Sequence, residues 1–94
     1  RFSTGEVVQT ALAAPGVAQA HALPYDRFGE RAIALFVVAS DGLPLSAADV
    51  RTHLASLLAP FKVPRTIHVL AELPTRGIGK VDEAALRAIA TNGV

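Results

Sequence analysis

Arg31 to Ala39 reads Arg-Ala-Ile-Ala-Leu-Phe-Val-Val-Ala, and this run restricts the fold more than any other part of the chain. Its β-branched and aromatic residues favour an extended strand. Its nearly unbroken apolar character predicts burial on both faces rather than one. Elements elsewhere in the chain must therefore cover it.

The flanking sequence supplies them. Ser3 and Glu6 have capping-box spacing, and Val7, Val8, Ala11 and Leu12 form a helical stripe that Pro15-Gly16 ends. Val17 to Leu23 reads as a strand, Pro24 to Glu30 as a polar turn, and Ser40 to Pro44 as another turn. Ser46 with Asp49 opens a second helix with an inner stripe of Val50, Leu54, Leu57 and Leu58, stopped by Pro60. Thr66 to Leu70 reads as a short strand with apolar contacts from Ile67, Val69 and Leu70. Asp82 caps a last helix with Leu86 and Ile89 inward, and Thr91 to Val94 is expected to fray. The order α-β-β-α-β-α predicts an α+β domain: a small, mostly three-stranded sheet with helices packed on it. Residues 1–94 read as one domain, without repeat or linker.

Composition excludes several function classes. A formal charge of +1 gives no broad attraction to nucleic acid or membrane. No apolar run approaches the roughly 18–20 residues of a membrane span. The chain has no cysteine, hence no disulfide framework and no thiolate metal site, which fits a cytoplasmic protein. It begins Arg1-Phe2-Ser3 with neither methionine nor signal-peptide pattern, and so reads as a cut inside a longer protein.

The chemistry-bearing candidate is Pro74-Thr75-Arg76-Gly77-Ile78-Gly79-Lys80-Val81-Asp82. Glycines make this loop pliable, and Lys80 is one of only two lysines, with Lys62, against seven arginines. It is not a P-loop: Pro74 stands where that motif needs glycine, and Val81 where it needs Ser or Thr. Pro60-Phe61-Lys62-Val63-Pro64-Arg65 reads either as a stiff connector with Phe61 buried, or as a surface clamp for an anionic group. His21, His53 and His68 lack metal-ligand spacing and read as structural or exposed. Asp26 is placed to cap its turn, and Glu30 to pair with Arg27 or Arg31.

Taken in order, these pieces carry a resemblance. Ser3-Thr4-Gly5-Glu6-Val7, Pro15-Gly16-Val17, Pro24-x-Asp26-x-x-Gly29-Glu30, Pro60 to Arg65, Leu73-Pro74 and Gly79-Lys80-Val81-Asp82 follow one another along essentially the whole chain. The series resembles the C-terminal subdomain of the adenylate-forming superfamily, which includes acyl- and aryl-CoA synthetases, peptide-synthetase adenylation domains and firefly-type luciferases. Any one motif is weak; the ordered series is specific.

The resemblance implies a two-part enzyme. A large N-terminal domain would hold most of the carboxylic acid and ATP pocket, together with Mg2+. The small domain would close over it, then rotate. The first reaction joins a carboxylate to the α-phosphate of ATP. The second passes the acyl group to the thiol of CoA or of a carrier-protein phosphopantetheine. By position, Lys80 resembles the adenylation lysine, a mobile ammonium that offsets charge as carboxylate meets phosphate. In several members acylation of this lysine stops adenylation, as loss of its charge explains. Gly79, Arg76, Lys62 and Arg65 are the implied nucleotide- and CoA-side residues. Lys62 and Arg65 match a Lys-Val-Pro-Arg segment whose main role is structural. Glu6 follows the hinge, and Gly29-Glu30 matches a structural turn.

The chain departs from the pattern Leu-Pro-(Lys/Arg)-Thr-x-(Ser/Thr)-Gly-Lys at three places. Thr75 and Arg76 occupy the basic and threonine positions, and Ile78 the hydroxyl position. After Asp82 the usual basic residues give way to Glu83-Ala84-Ala85. The rival expectation is a non-catalytic module that docks a carrier protein or complements a partner in trans. An upstream domain with a Ser/Thr/Gly-rich phosphate loop would favour the enzyme, and a nearby start codon the module.

Overall fold

A computed structural model describes residues 4–27, 29–40 and 45–92. Its elements are α1 (Thr4–Leu12), β1 (Val17–Arg27), β2 (Glu30–Ala39), α2 (Ala47–Leu57), a 3-10 turn (Pro60–Lys62), β3 (Thr66–Leu70) and α3 (Glu83–Asn92). The order α-β-β-α-β-α is the one the sequence predicts. The 3-10 turn is additional.

β2 is the middle strand of a three-stranded mixed sheet, antiparallel to β1 and parallel to β3. Residues 32 to 38 of β2 are all buried, as the apolar run requires. Strand alternation divides them. Ile33, Leu35 and Val37 meet Val7 and Ala11 of α1 and Val50 and Leu54 of α2. Ala32, Ala34 and Phe36 meet Leu23 and Tyr25 of β1 and Leu86 and Ala90 of α3. Two cores, one on each face, thus share a single strand. His21 and His68 flank Phe36 across the sheet, on the α3 face. The His68 ring stacks on Phe36 at 5.0 Å between centroids.

Local chemistry fixes the helix starts. Ser46 Oγ accepts the backbone N–H of Asp49 at 3.1 Å, and Asp82 Oδ1 accepts that of Ala85 at 3.1 Å. Both are side-chain N-caps that satisfy otherwise orphaned donors. Ser3 and residues 41–44 lie outside the described residues, and with them the proposed capping box and most of the Ser40–Pro44 turn.

Several expectations change. The stretch from Pro24 to Arg27 is strand, not turn. β1 is an edge strand, where proline's missing N–H is tolerated, and Leu23 and Tyr25 alternate inward around Pro24. β1 and β2 stay paired out to Arg27 and Glu30, and Gly29 stands at φ 80°. Leu57 is 62% exposed, because the buried α2 stripe closes through Leu58 instead. Val69 is 38% exposed, and Leu70 packs on the α3-side core. The last helix extends through Asn92, whereas fraying from Thr91 onward is the sequence expectation.

Candidate functional site

The loop after β3 is a tight hairpin. Thr75 and Val81 form an antiparallel bridge, Arg76 N–H donates to Lys80 O at 2.8 Å, and Asp82 N–H donates to Pro74 O at 2.9 Å. Gly77 and Gly79 turn the chain at φ 65° and 75°. A β-carbon at either would meet no atom within 4 Å, so backbone conformation rather than space calls for glycine there. Ile78 stands at the tip, 100% exposed.

Hairpin register decides which side chains converge. Opposed residues share a face, so Arg76 and Lys80 project together, opposite to Thr75 and Val81. Val81 and Leu73 pack on the core with Leu86, which anchors the hairpin. Asp82 caps α3, joining hairpin to helix without slack. Arg76, Lys80, Val81, Glu83, Ala84 and Arg87 line one open depression of about 560 Å³. The Lys80 side chain is exposed, and its ammonium makes no hydrogen bond or ion pair with the described residues. Glu83 Oε2 lies 2.8 Å from His21 Nε2, which draws this carboxylate toward β1.

Lys62 and Arg65 belong elsewhere. They precede β3, whereas the Lys80 hairpin follows it. Five strand residues separate the two places by roughly 16 Å. Lys62 Nζ donates to Glu6 Oε1 at 2.9 Å and lies 5.9 Å from the centre of the Phe61 ring. Arg65 Nη2 donates to Glu30 Oε1 at 3.0 Å, while Arg31 pairs with Asp26 at 3.5 Å. Among the described side chains Glu30 therefore pairs with Arg65, far along the chain, and not with Arg31; the Arg27 side chain lies outside the described ones. Phe61 is 66% exposed, against the expectation of burial, and Pro64 is the fully buried member of the segment. Arg51 of α2 fixes that segment by donating to the carbonyls of Pro64 and Arg65, each at 3.0 Å.

The sequence pools Arg76, Gly79, Lys80, Lys62 and Arg65; the fold divides them into two groups at opposite ends of β3. It also adds residues that sequence reasoning misses. Arg87 joins Lys80 because α3 starts at Glu83 and places Arg87 one turn further along, four residues on. Glu83 and His21 meet across sixty-two positions, beyond any local signal. His68 is held below its ordinary pKa by burial. His53 Nε2 and His68 Nε2 are buried without a hydrogen-bond partner among the described residues. No group of three His, Asp or Glu side chains among the described residues is placed to hold a metal ion. No helix among them is long and apolar enough to cross a membrane.

Known proteins share this fold. The family model of the AMP-binding enzyme C-terminal domain matches residues 6–80. A 2-hydroxy-7-methoxy-5-methyl-1-naphthoate–CoA ligase of Streptomyces carzinostaticus is 43% identical over 93 residues, covering 96% of this chain and 16% of its own length. ATP-bound MatB from Rhodopseudomonas palustris superposes with a TM-score of 0.86 at 24% identity, over 97% of this chain and 18% of that one. A benzoate CoA ligase from Burkholderia xenovorans LB400 gives a TM-score of 0.77 at 28% identity, over 90% of this chain and 18% of the other. The chain thus spans less than a fifth of the length of these relatives.

Proposed function

The chain belongs to the AMP-binding enzyme C-terminal domain family of the adenylate-forming superfamily, and from that premise we propose that residues 1–94 are the mobile C-terminal subdomain of a cytoplasmic, ATP-dependent acid:thiol ligase. Lys80 is its adenylation lysine. The observation that carries this reading is the Lys80 hairpin: an ammonium without a partner among the described residues, on a glycine-turned loop pinned at its base to the core and exposed at its tip.

The chemistry asks for such a group. A carboxylate oxygen attacks the α-phosphorus of ATP, a P–O bond forms, and the bond to pyrophosphate breaks. Two anions meet, and negative charge grows on the bridging and non-bridging oxygens. An ammonium brought in on a preformed loop offsets that charge, and closure against the large domain would exclude water and strengthen the effect. Lysine suits a narrow cleft better than arginine, whose planar fork is bulkier. Gly79 allows close approach of the backbone. In this reading the magnesium that accompanies ATP would be held mainly by the large domain.

The second reaction releases AMP as a thiol attacks the acyl carbon. The end of β3 that carries Lys62 and Arg65 is the proposed acceptor side. Exposed Phe61 gives a flat apolar surface there, and the two cations lie beside it. CoA or a carrier-protein phosphopantetheine would dock on it. Two ends of one strand would then serve the two half-reactions, and a rotation of the domain would exchange them.

The test is acid-dependent ATP–pyrophosphate exchange by the intact enzyme that carries this chain. Lys80→Ala should abolish it. Exchange at the wild-type rate would contradict the assignment.

A further inference from the structure

Seven Lys and Arg side chains fall among the described ones, and they sort into two groups. Arg31, Arg51, Lys62 and Arg65 each have a carboxylate or carbonyl partner. Arg76, Lys80 and Arg87 have none among the described residues, and these three line the same depression of about 560 Å³. Unpaired like charges repel, so a fold gains nothing by gathering them. Nor does one element place them together by accident of sequence spacing. Arg76 and Lys80 come from opposite arms of the hairpin, and Arg87 from α3.

We infer that Arg76 and Arg87 complete, with Lys80, a three-cation seat for a pyrophosphoryl group, the one that leaves in adenylation; the inference rests on the adenylation reading of Lys80. A single ammonium suits one oxygen. Two guanidinium forks around it offer paired N–H donors in the geometry of phosphoryl oxygens. Such a set matches a ligand with several adjacent charged oxygens better than a carboxylate or a lone phosphate. Among the described residues the only carboxylate in the lining is Glu83, and His21 holds it from the β1 side at 2.8 Å.

The position of Arg76 is what makes the seat. Side chains alternate across the hairpin, so a cation at Thr75 would face away from Lys80, and one at 76 faces with it. The exchange of basic and hydroxyl residues at 75 and 76 therefore turns a guanidinium onto the lysine's side. Arg76 and Arg87 act here by holding the departing group, in the same step in which Lys80 faces the reacting oxygens.

The experiment titrates the 94-residue chain with inorganic pyrophosphate and with orthophosphate at equal ionic strength, followed by backbone amide shifts. Pyrophosphate should bind about tenfold or more tightly than orthophosphate, moving residues 76–80 and 83–87. Arg76→Thr and Arg87→Gln should each weaken it about three- to tenfold, and Arg31→Gln should not. In the intact enzyme, Arg76→Thr should raise the KM for pyrophosphate in the exchange reaction and leave the KM for the acid unchanged. Equal affinity for the two anions, or wild-type pyrophosphate binding and exchange by both arginine variants, overturns the seat. If those variants behave as wild type while Lys80→Ala blocks adenylation, the seat fails and the lysine assignment stands. If pyrophosphate binds through the arginines but Lys80→Ala adenylates normally, the lysine assignment fails instead.

Discussion

Arg76 donates its backbone N–H to the carbonyl of Lys80 at 2.8 Å, and this one bond sets both side chains on the same face of the hairpin. It depends on Gly77 and Gly79 holding positive φ between them. A residue with a β-carbon is disfavoured in that region by about 1–2 kcal/mol. Gly79→Ala should therefore loosen the hairpin by about that amount with little effect on the rest of the fold. Amide exchange at Arg76 should rise severalfold, and adenylation by the intact enzyme should fall. Unchanged protection at Arg76 would show that the glycines are not what holds the loop.

The hairpin is only as firm as the helix it leads into. Leu86 is fully buried on the α3 face and Leu54 fully buried on the α1/α2 face. Truncation of either to alanine should destabilise the domain by about 2–5 kcal/mol in chemical denaturation. Local effects should differ. Leu86→Ala should speed amide exchange across residues 74–82, since Val81 and Leu73 pack in its cluster, and Leu54→Ala should not.

His68 gives the fold a pH dependence of defined sign. Burial holds its pKa below 6.5, so the unfolded chain binds this proton more readily than the folded one. Stability from this residue is fully present above pH 6.5 and declines as pH falls from there toward the folded pKa. His68→Phe keeps a ring against Phe36 and removes the proton. Its stability should be flatter than wild type between about pH 5 and 7 in denaturant titrations. An identical slope would place the titrating group elsewhere.

The pairs Lys62–Glu6 and Arg65–Glu30 are partly exposed, and each should contribute no more than about 1 kcal/mol in a double-mutant cycle. Their proposed role in the second half-reaction predicts something larger in kinetics. Lys62→Ala should slow thioester formation from supplied acyl-adenylate and spare pyrophosphate exchange. Equal loss in both would remove the division of labour between the two ends of β3.

Much of this architecture is legible in the sequence, and the gaps have physical causes. The β2 run, the Ser46 and Asp82 caps and the α2 and α3 stripes are local signals, and each element forms where they point. Pro24 misleads because a proline two residues before an aspartate reads as a turn, whereas the edge position that tolerates it is set by the sheet. Phe61 misleads because an aromatic between prolines reads as core, and nothing nearby says that Pro64 takes that place. At the site, the glycines and Lys80 stand out, but Arg87 does not. Its approach to Lys80 depends on hairpin register and helix start together. Glu30 finds Arg65, and His21 finds Glu83, only once the strands are paired.

The central claim is that Lys80 serves adenylation and not thioester formation. Single-turnover kinetics on the intact enzyme separates the two, with acyl-adenylate formed from acid and ATP in one experiment and supplied in the other. For Lys80→Ala the account predicts a fall of about 10²–10³-fold in the first rate and little change in the second. Adenylation at the wild-type rate, or an equal fall in both, would contradict it.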